Sequence, residues 1–367
     1  MPTSHVSSVP FAAATNDVYA SFRIPAIVVT KKGTLLAFAE GRRDSAADTG
    51  DIEIVMRRSV DKGKTWHVLK KVADHKTNTA GNPVPIVTST GRIVLVHVRN
   101  AAAAAEKLIT TGVIGPLNGR RIWVQHSDDD GVTWSTPREI TSSVKQPTWR
   151  WYATGPGHGI QLKHGKHAGR IVVAANHSVQ PTGEDTGAER KYNAGHGIYS
   201  DDLGETWHIG YLDETPDDSW INVNESTAAE LPDGRVYISA RNHSDAPGNR
   251  AEAYSSDGGV TLDEPFRPQP GIVTPVVEGS LLHLGTPDVL LYSGPGDPDR
   301  RAVMTIRASH DQGVTWKTVH TVDRLPAAYS DLVRIDKDTV GLLYETGKAS
   351  ANETITFRRI PVSELTG

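Results

Sequence analysis

Apolar residues in this chain come in short, β-branched runs, not in helical stripes. AIVV (26–29), IEIVM (52–56), RIVLVHV (92–98), RIVVAA (170–175) and RVYISA (235–240) are each bounded by Gly, Asp, Asn or Pro. That is the pattern of many short strands joined by turns. Helical periodicity is nearly absent. The best helix candidate is AAAAAEKL, residues 101–108, and it is short.

A polar string recurs behind these runs. SVDKGKTW at 59, SDDDGVTW at 127, SDDLGETW at 200, SSDGGVTL at 255 and SHDQGVTW at 309 share Ser-x-Asp-x-Gly-x-Thr-Trp, with Leu262 replacing the fourth Trp. Each follows a strand-like run, so each marks the same hairpin in successive units. The Asp suits a side-chain bond to turn N–H groups, and the Gly supplies a positive φ. The Thr closes the turn, and the Trp is expected to pack beneath it against the next unit. The copies lie 68, 73, 55 and 54 residues apart. Four strands with loops fit that interval, and the chain holds about six such units. Units that bury a face only against neighbours must close into a ring or be capped. The expectation is therefore an all-β protein, a six-bladed β-propeller with four-stranded antiparallel blades, forming one domain over residues 1–367. The alternative, a β-helix, has far shorter repeats. The box aspartates, Asp61 among them, read as turn formers without a chemical role.

Composition narrows the classes. The chain has 367 residues, 37% hydrophobic and 22% charged, which reads as soluble and globular. It lacks cysteine, which excludes disulfides and thiolate metal sites. No apolar run is long enough for a membrane helix. A net charge of −4 and dispersed Lys and Arg give no nucleic-acid surface. The opening MPTSHVSSVPFAAATNDVYA lacks the regions of a signal peptide, so the expectation is a cytoplasmic protein or a secreted one already trimmed. GPGHG (155–159) has neither P-loop nor dinucleotide-binding spacing. His164 and His167 stand outside any His-Glu-x-x-His motif, so no metal and no cofactor is expected.

A propeller gathers its site at the axis from several blades, so ionisable residues at strand ends are the candidates. SFRIPAIVV (21–29) sets Arg23 at the entry to an apolar strand, where a guanidinium needs an anionic partner. FAEGRRDSAADTGDIEIV (38–55) places Arg42, Arg43, Asp44, Asp48 and Asp51 in a small-residue loop. In SWINVNESTAAELPDGRVYISARN (219–242), Glu225 and Arg241 each lie 8 residues from Asp233 of a Pro-Asp-Gly turn, so they should be neighbours across a hairpin. Arg301 heads the strand leading to the last box, with Arg300 as its rival. Tyr329 lies in LPAAYSDLVRI (325–335).

With these marks the chain resembles the bacterial and animal exo-sialidases (neuraminidases). FRIP at 22–25, the repeated Asp boxes, VNES at 223–226, ISARN at 238–242 and AYSDL at 328–332 occur in the family's order over nearly the whole length. The resemblance implies that Arg23, Arg241 and Arg301 clamp a substrate carboxylate. It makes Tyr329 the nucleophile, Glu225 its partner base and Asp48 the acid/base, with Asp44 and Asp51 as rivals. It sets Arg42 near the substrate's 4-position. It implies sialylated glycans as partners and retention of anomeric configuration. Trp149, Trp151 and Tyr152 in QPTWRWYATGPGHGI are either a sugar platform or blade packing, and Asn82 is expected to reach the pocket. Alternatives are a deaminated nonulosonic acid as substrate, transfer to another sugar, or a non-catalytic Asp-box binding propeller. A monomer or loose dimer without an accessory lectin module is expected.

Overall fold

Each of the five boxes closes the hairpin between the third and fourth strands of a run. In the first, Asp61 Oδ1 accepts from Lys64 N (3.0 Å), Thr65 N (2.9 Å) and Ser59 Oγ, while Oδ2 takes the Thr65 hydroxyl at 2.6 Å. Ser59 Oγ in turn accepts Gly63 N at 2.8 Å. The same bonds recur around Asp129, Asp202, Asp257 and Asp311. Positive φ occurs at the Gly and also at the residue before it: Lys62, Asp130, Leu203, Gly258 and Gln312. Of the Trp anchors, Trp207 is fully buried and the others are half-buried. Trp66 meets Phe357 of another sheet edge-on at 5.4 Å and Trp134 meets Phe38 of the preceding antiparallel run at 5.9 Å, so the anchor does pack against a neighbouring unit.

The computed structural model describes residues 7–189, 191–214, 221–243 and 249–367. The first six residues of the segment read for a signal, and Ser219 and Trp220, lie outside these. The described chain is an all-β propeller of 25 strands. The expectation of six separate four-stranded sheets is corrected, because hydrogen bonding links the strands into five. One is eight-stranded. It comprises the antiparallel runs Ser21–Val29 to Lys70–Ala73 and Thr79–Val87 to Arg138–Glu139, joined by the single parallel bridge Ile52–Thr79. A five-stranded sheet (residues 152–213) and two four-stranded sheets (223–273 and 280–321) follow.

The last sheet takes Ala327–Arg334, Thr339–Thr346 and Thr354–Pro361 from the end of the chain and Ser7–Ala12 from its beginning. Its fourth strand arrives without a hairpin from the third, which is why this unit has no box. The helix expected over 101–108 is also corrected. Only Glu106–Thr110 is α-helical, and Ala101–Ala105 form a turn and its approach. Among the described residues no helix is long and apolar enough to cross a membrane.

Apolar faces of adjacent sheets form the core. Val84, Ile86, Val94 and Val96 pack with Val173, Ala175 and Ile198 of the next sheet. At the axis the packing becomes polar. Asp331 is fully buried and accepts from Ile27 N (2.8 Å), His158 N (3.0 Å) and Ser280 Oγ (2.7 Å), with His158 Nδ1 at 2.7 Å. One carboxylate thus joins segments of four sheets. Burial alone would lower the His158 pKa, but the Asp331 charge raises it. Removing a buried, fully bonded carboxylate strands its donors. Asp331→Ala is expected to cost about 3–5 kcal/mol, read as a fall in the urea midpoint at unchanged slope; Asp331→Asn should cost less.

Candidate active site

The axial strands share a defect that aims side chains into one pocket. Register shifts by a bulge between Arg23 and Ala26, Gly81 and Val84, Val223 and Ser226, and Ala327 and Ser330. A bulge bends its strand and turns a side chain out of the alternation. The residues at these four defects are Ile24 beside Arg23, Asn82, Glu225 and Tyr329. Ile24 and Asn82 carry positive φ (60° and 51°), and each precedes a Pro, which a bulge tolerates within a strand.

The pocket holds about 300 Å³. Arg23, Arg42, Asp48, Glu225, Arg241, Arg301 and Tyr329 all line it, so every expected site residue is brought together. Tyr329 is 6% exposed and donates its hydroxyl to Glu225 Oε1 at 2.5 Å. Arg241 NH1 bonds Glu225 Oε2 at 2.8 Å and reaches the Tyr329 oxygen at 3.2 Å. The Arg23 and Arg301 guanidinium carbons lie 5.2 and 5.8 Å from the centre of the Tyr329 ring. Three guanidiniums, two from strands and Arg301 from the connection before Met304–Ser309, therefore surround one phenol. The symmetric placement about Asp233 does make Glu225 and Arg241 neighbours. Ser226 pairs with Ala240 in the same register, and the bulge begins just before it.

Burial raises the Tyr329 pKa well above its ordinary value and Glu225 raises it further, while Arg241, Arg23 and Arg301 pull the other way. The phenol is neutral near pH 7. Burial disfavours the Arg23 charge, but Glu345 more than offsets this through bonds of 2.7 and 3.1 Å. Arg241 is held charged against burial by Glu225. Arg301 is exposed and donates to Val276 O at 3.1 Å. Arg300 instead pairs with Asp297 at the surface, which separates the two rivals.

Asp48 stands on an exposed stretch of its loop, tied to Arg42 NH1 at 2.7 Å. Arg42 is 2% exposed, and its other nitrogens bond Glu40. Against desolvation in the pocket, Arg42 leads Arg23 and Arg120 in lowering the Asp48 pKa. Asp51 instead pairs with Arg43, and neither it nor Asp44 lines the pocket. The aromatic segment divides. Trp151 lines the pocket, Tyr152 is core, and Trp149 stacks on His177 at 3.6 Å. Asn82 lines the pocket as expected and accepts from Arg120 NH1 at 2.8 Å.

Sequence reasoning missed Glu40, Glu106, Arg120, Asn224, His243 and Glu345. Glu40 and Glu345 carry the frame: Glu40 accepts Asn82 N at 2.9 Å and Glu345 accepts Ile24 N at 2.9 Å, capping N–H groups of the bulges. A signal existed. AFAE, YISAR and LLYE each end an apolar second strand on a charged residue near the axis. Arg120, stacked 4.0 Å over Trp151, and Glu106 come from the 101–120 segment, which has no periodic cue. Burial lowers the Arg120 pKa and raises that of Glu106.

The BNR repeat-like domain family model matches residues 33–343. A sialidase of Micromonospora viridifaciens is 32% identical over 90% of this chain and 50% of its own length. A sialidase of Bacteroides fragilis is 29% identical over 98% of this chain and 66% of its own. The chain thus spans about half to two thirds of the length of these curated relatives. The solved Hadza microbial sialidase Hz136 superposes with a TM-score of 0.81 at 29% identity, covering 95% of this chain and 67% of that one. With most of its length matched, the chain belongs to the BNR repeat-like domain family, and the curated relatives named above are sialidases.

Proposed function

We propose that this protein is a retaining exo-α-sialidase. The reading rests on one observation: a buried phenol 2.5 Å from a carboxylate and ringed by three guanidiniums. We count its single catalytic domain as six blades, taking the eight-stranded sheet as two blades that share one bridge. The substrate is a terminal sialic acid on a glycan, whose anomeric carbon bears a carboxylate. Arg23, Arg241 and Arg301 hold that carboxylate by charge-assisted bonds. A carboxylate nucleophile would be repelled by it, whereas a neutral phenol is not. Glycosidases that use a Tyr nucleophile depart from the usual two-carboxylate pattern.

In the first step the Tyr329 oxygen attacks the anomeric carbon and its proton passes to Glu225. The glycosidic C–O bond breaks, and Asp48 protonates the departing oxygen. In the second step Asp48 takes a proton from water, which attacks the same carbon. Tyr329 leaves and regains its proton from Glu225. Two inversions give net retention. Arg42 holds the Asp48 loop and faces the ring beside it. Since Asp48 is ionised in the free protein, donation needs a bound anion that neutralises the guanidiniums nearby.

Tyr329→Phe is expected to lower kcat for a fluorogenic α-sialoside on the order of a thousandfold or more. Comparable turnover by this variant would refute the mechanism. Turnover confined to the deaminated analogue would move the substrate assignment. The Asp48 carboxyl, followed by carbon NMR, should titrate below the usual range of about 3.9 in the free protein. It should rise toward that value in Arg42→Met and when free sialic acid is bound; a titration unmoved by either change would remove Asp48 from the acid/base role.

A further inference from the structure

The bulge that presents Tyr329 has its backbone N–H groups taken by buried carboxylates. Tyr329 N donates to Glu345 Oε2 at 3.3 Å, and Ser330 N donates to Glu278 Oε2 at 3.0 Å. Four buried carboxylates hold backbone in this way around the axis. Three have a basic partner: Glu40 has Arg42, Glu345 has Arg23 and Asp331 has His158, each at 2.7 Å. Glu278 is the fourth. It is 2% exposed, and its Oε1 is buried without a hydrogen-bond partner.

The titratable and charged groups facing Glu278 come from every element around it. They are Glu225, Asp331 with its partner His158, Arg250 and Tyr292. Arg250 is itself buried and directs its donors to Ser239 and Val277 O. The backbone of the 155–159 loop closes the space: a Cβ on Gly157 would sit 3.8 Å from Glu278 Oε1 and 3.3 Å from Asp331 Oδ1. A buried carboxyl with one N–H donor and no bonded cation, beside two other carboxylates, favours the acid form. Burial pushes its pKa well up; Glu225 and Asp331 add to this, and the Ser330 N–H and Arg250 oppose it.

We propose that Glu278 is a positioning residue that works as the neutral acid, pinning the Tyr329 bulge without a further negative charge behind Glu225. This rests on the reading of Tyr329 and Glu225 as the nucleophile pair. Ionisation of Glu278 would oppose the arginines that attract an anionic substrate, so kcat/KM falls on the alkaline side.

The test compares wild type, Glu278→Gln and Glu278→Ala by pH profiles of sialoside hydrolysis and by thermal midpoints from pH 4 to 9. Glutamine keeps an acceptor for Ser330 N and never ionises. Its kcat/KM near pH 6 should stay within about threefold of wild type, with the alkaline limb moved up by about one pH unit or more. Alanine strands the N–H and should lose activity at every pH. In wild type the folded pKa of Glu278 lies above the unfolded one. Stability from this group is full below the unfolded value of about 4.3 and declines as pH rises toward the folded value, because only the unfolded chain then releases the proton. The midpoint of Glu278→Gln should therefore gain on wild type as pH rises. A folded Glu278→Gln with an unchanged alkaline limb and a flat midpoint difference overturns the proposal. So does a variant inactive near pH 6 and less stable than wild type at neutral pH, which would make Glu278 the ionised counter-charge of Arg250. If wild type turns over no sialoside, the nucleophile reading fails, while the midpoints still decide whether Glu278 is neutral.

Discussion

The Asp331 carboxylate ties the axis together. Sheets in a propeller meet mainly through apolar faces, which resist separation but specify rotation about the axis poorly. Hydrogen bonds from Ile27, His158 and Ser280 to one buried group give those sheets a common origin. Tyr329 lies two residues away on the same strand, so the phenol is placed relative to that origin and not to any surface loop. Function here depends on angstrom placement across sheets, and directional polar bonds supply what packing alone does not.

Around this origin the chain uses one device repeatedly. A bulge in an axial strand turns one side chain inward, and a carboxylate or carbonyl from a neighbouring segment accepts the N–H left over. Glu345 does this for Ile24, Glu40 for Asn82, Glu278 for Ser330 and Gly155 O for Ser226, the last at 3.0 Å. Two of the acceptors also neutralise an arginine of the pocket, so backbone geometry and site electrostatics share the same groups. Glu345 and Glu225 hold only part of the Arg23 and Arg241 donors, so on the proposed reading an entering anion would meet the remaining ones.

The sequence carried the local rules well. Five boxes marked the third hairpin of their units, and the symmetric spacing about Asp233 predicted the meeting of Glu225 and Arg241. What it concealed was non-local. Glu345 serves Ile24 across 321 positions, and no periodicity marks such a partner. The half-burial of most Trp anchors depends on how closely the neighbouring unit approaches. The joining of two runs into one eight-stranded sheet hangs on the bridge Ile52–Thr79, which patterning cannot foresee. Trp149 and Trp151, two positions apart, look equivalent in the string, yet one stacks on His177 and the other faces the pocket.

The closing sheet draws its outer strand, Ser7–Ala12, from the opposite end of the chain to Thr354–Pro361. Arg23 follows shortly after that strand, and Tyr329 lies in the same sheet. Bringing the two halves of the pocket together therefore closes most of the chain into one loop, which carries a large loop-closure cost. During synthesis the earlier sheets can form while the phenol still has no guanidinium from the first. On the proposed reading, sialidase activity would then report completion of the ring, with a chain stalled before closure inert, not partly active.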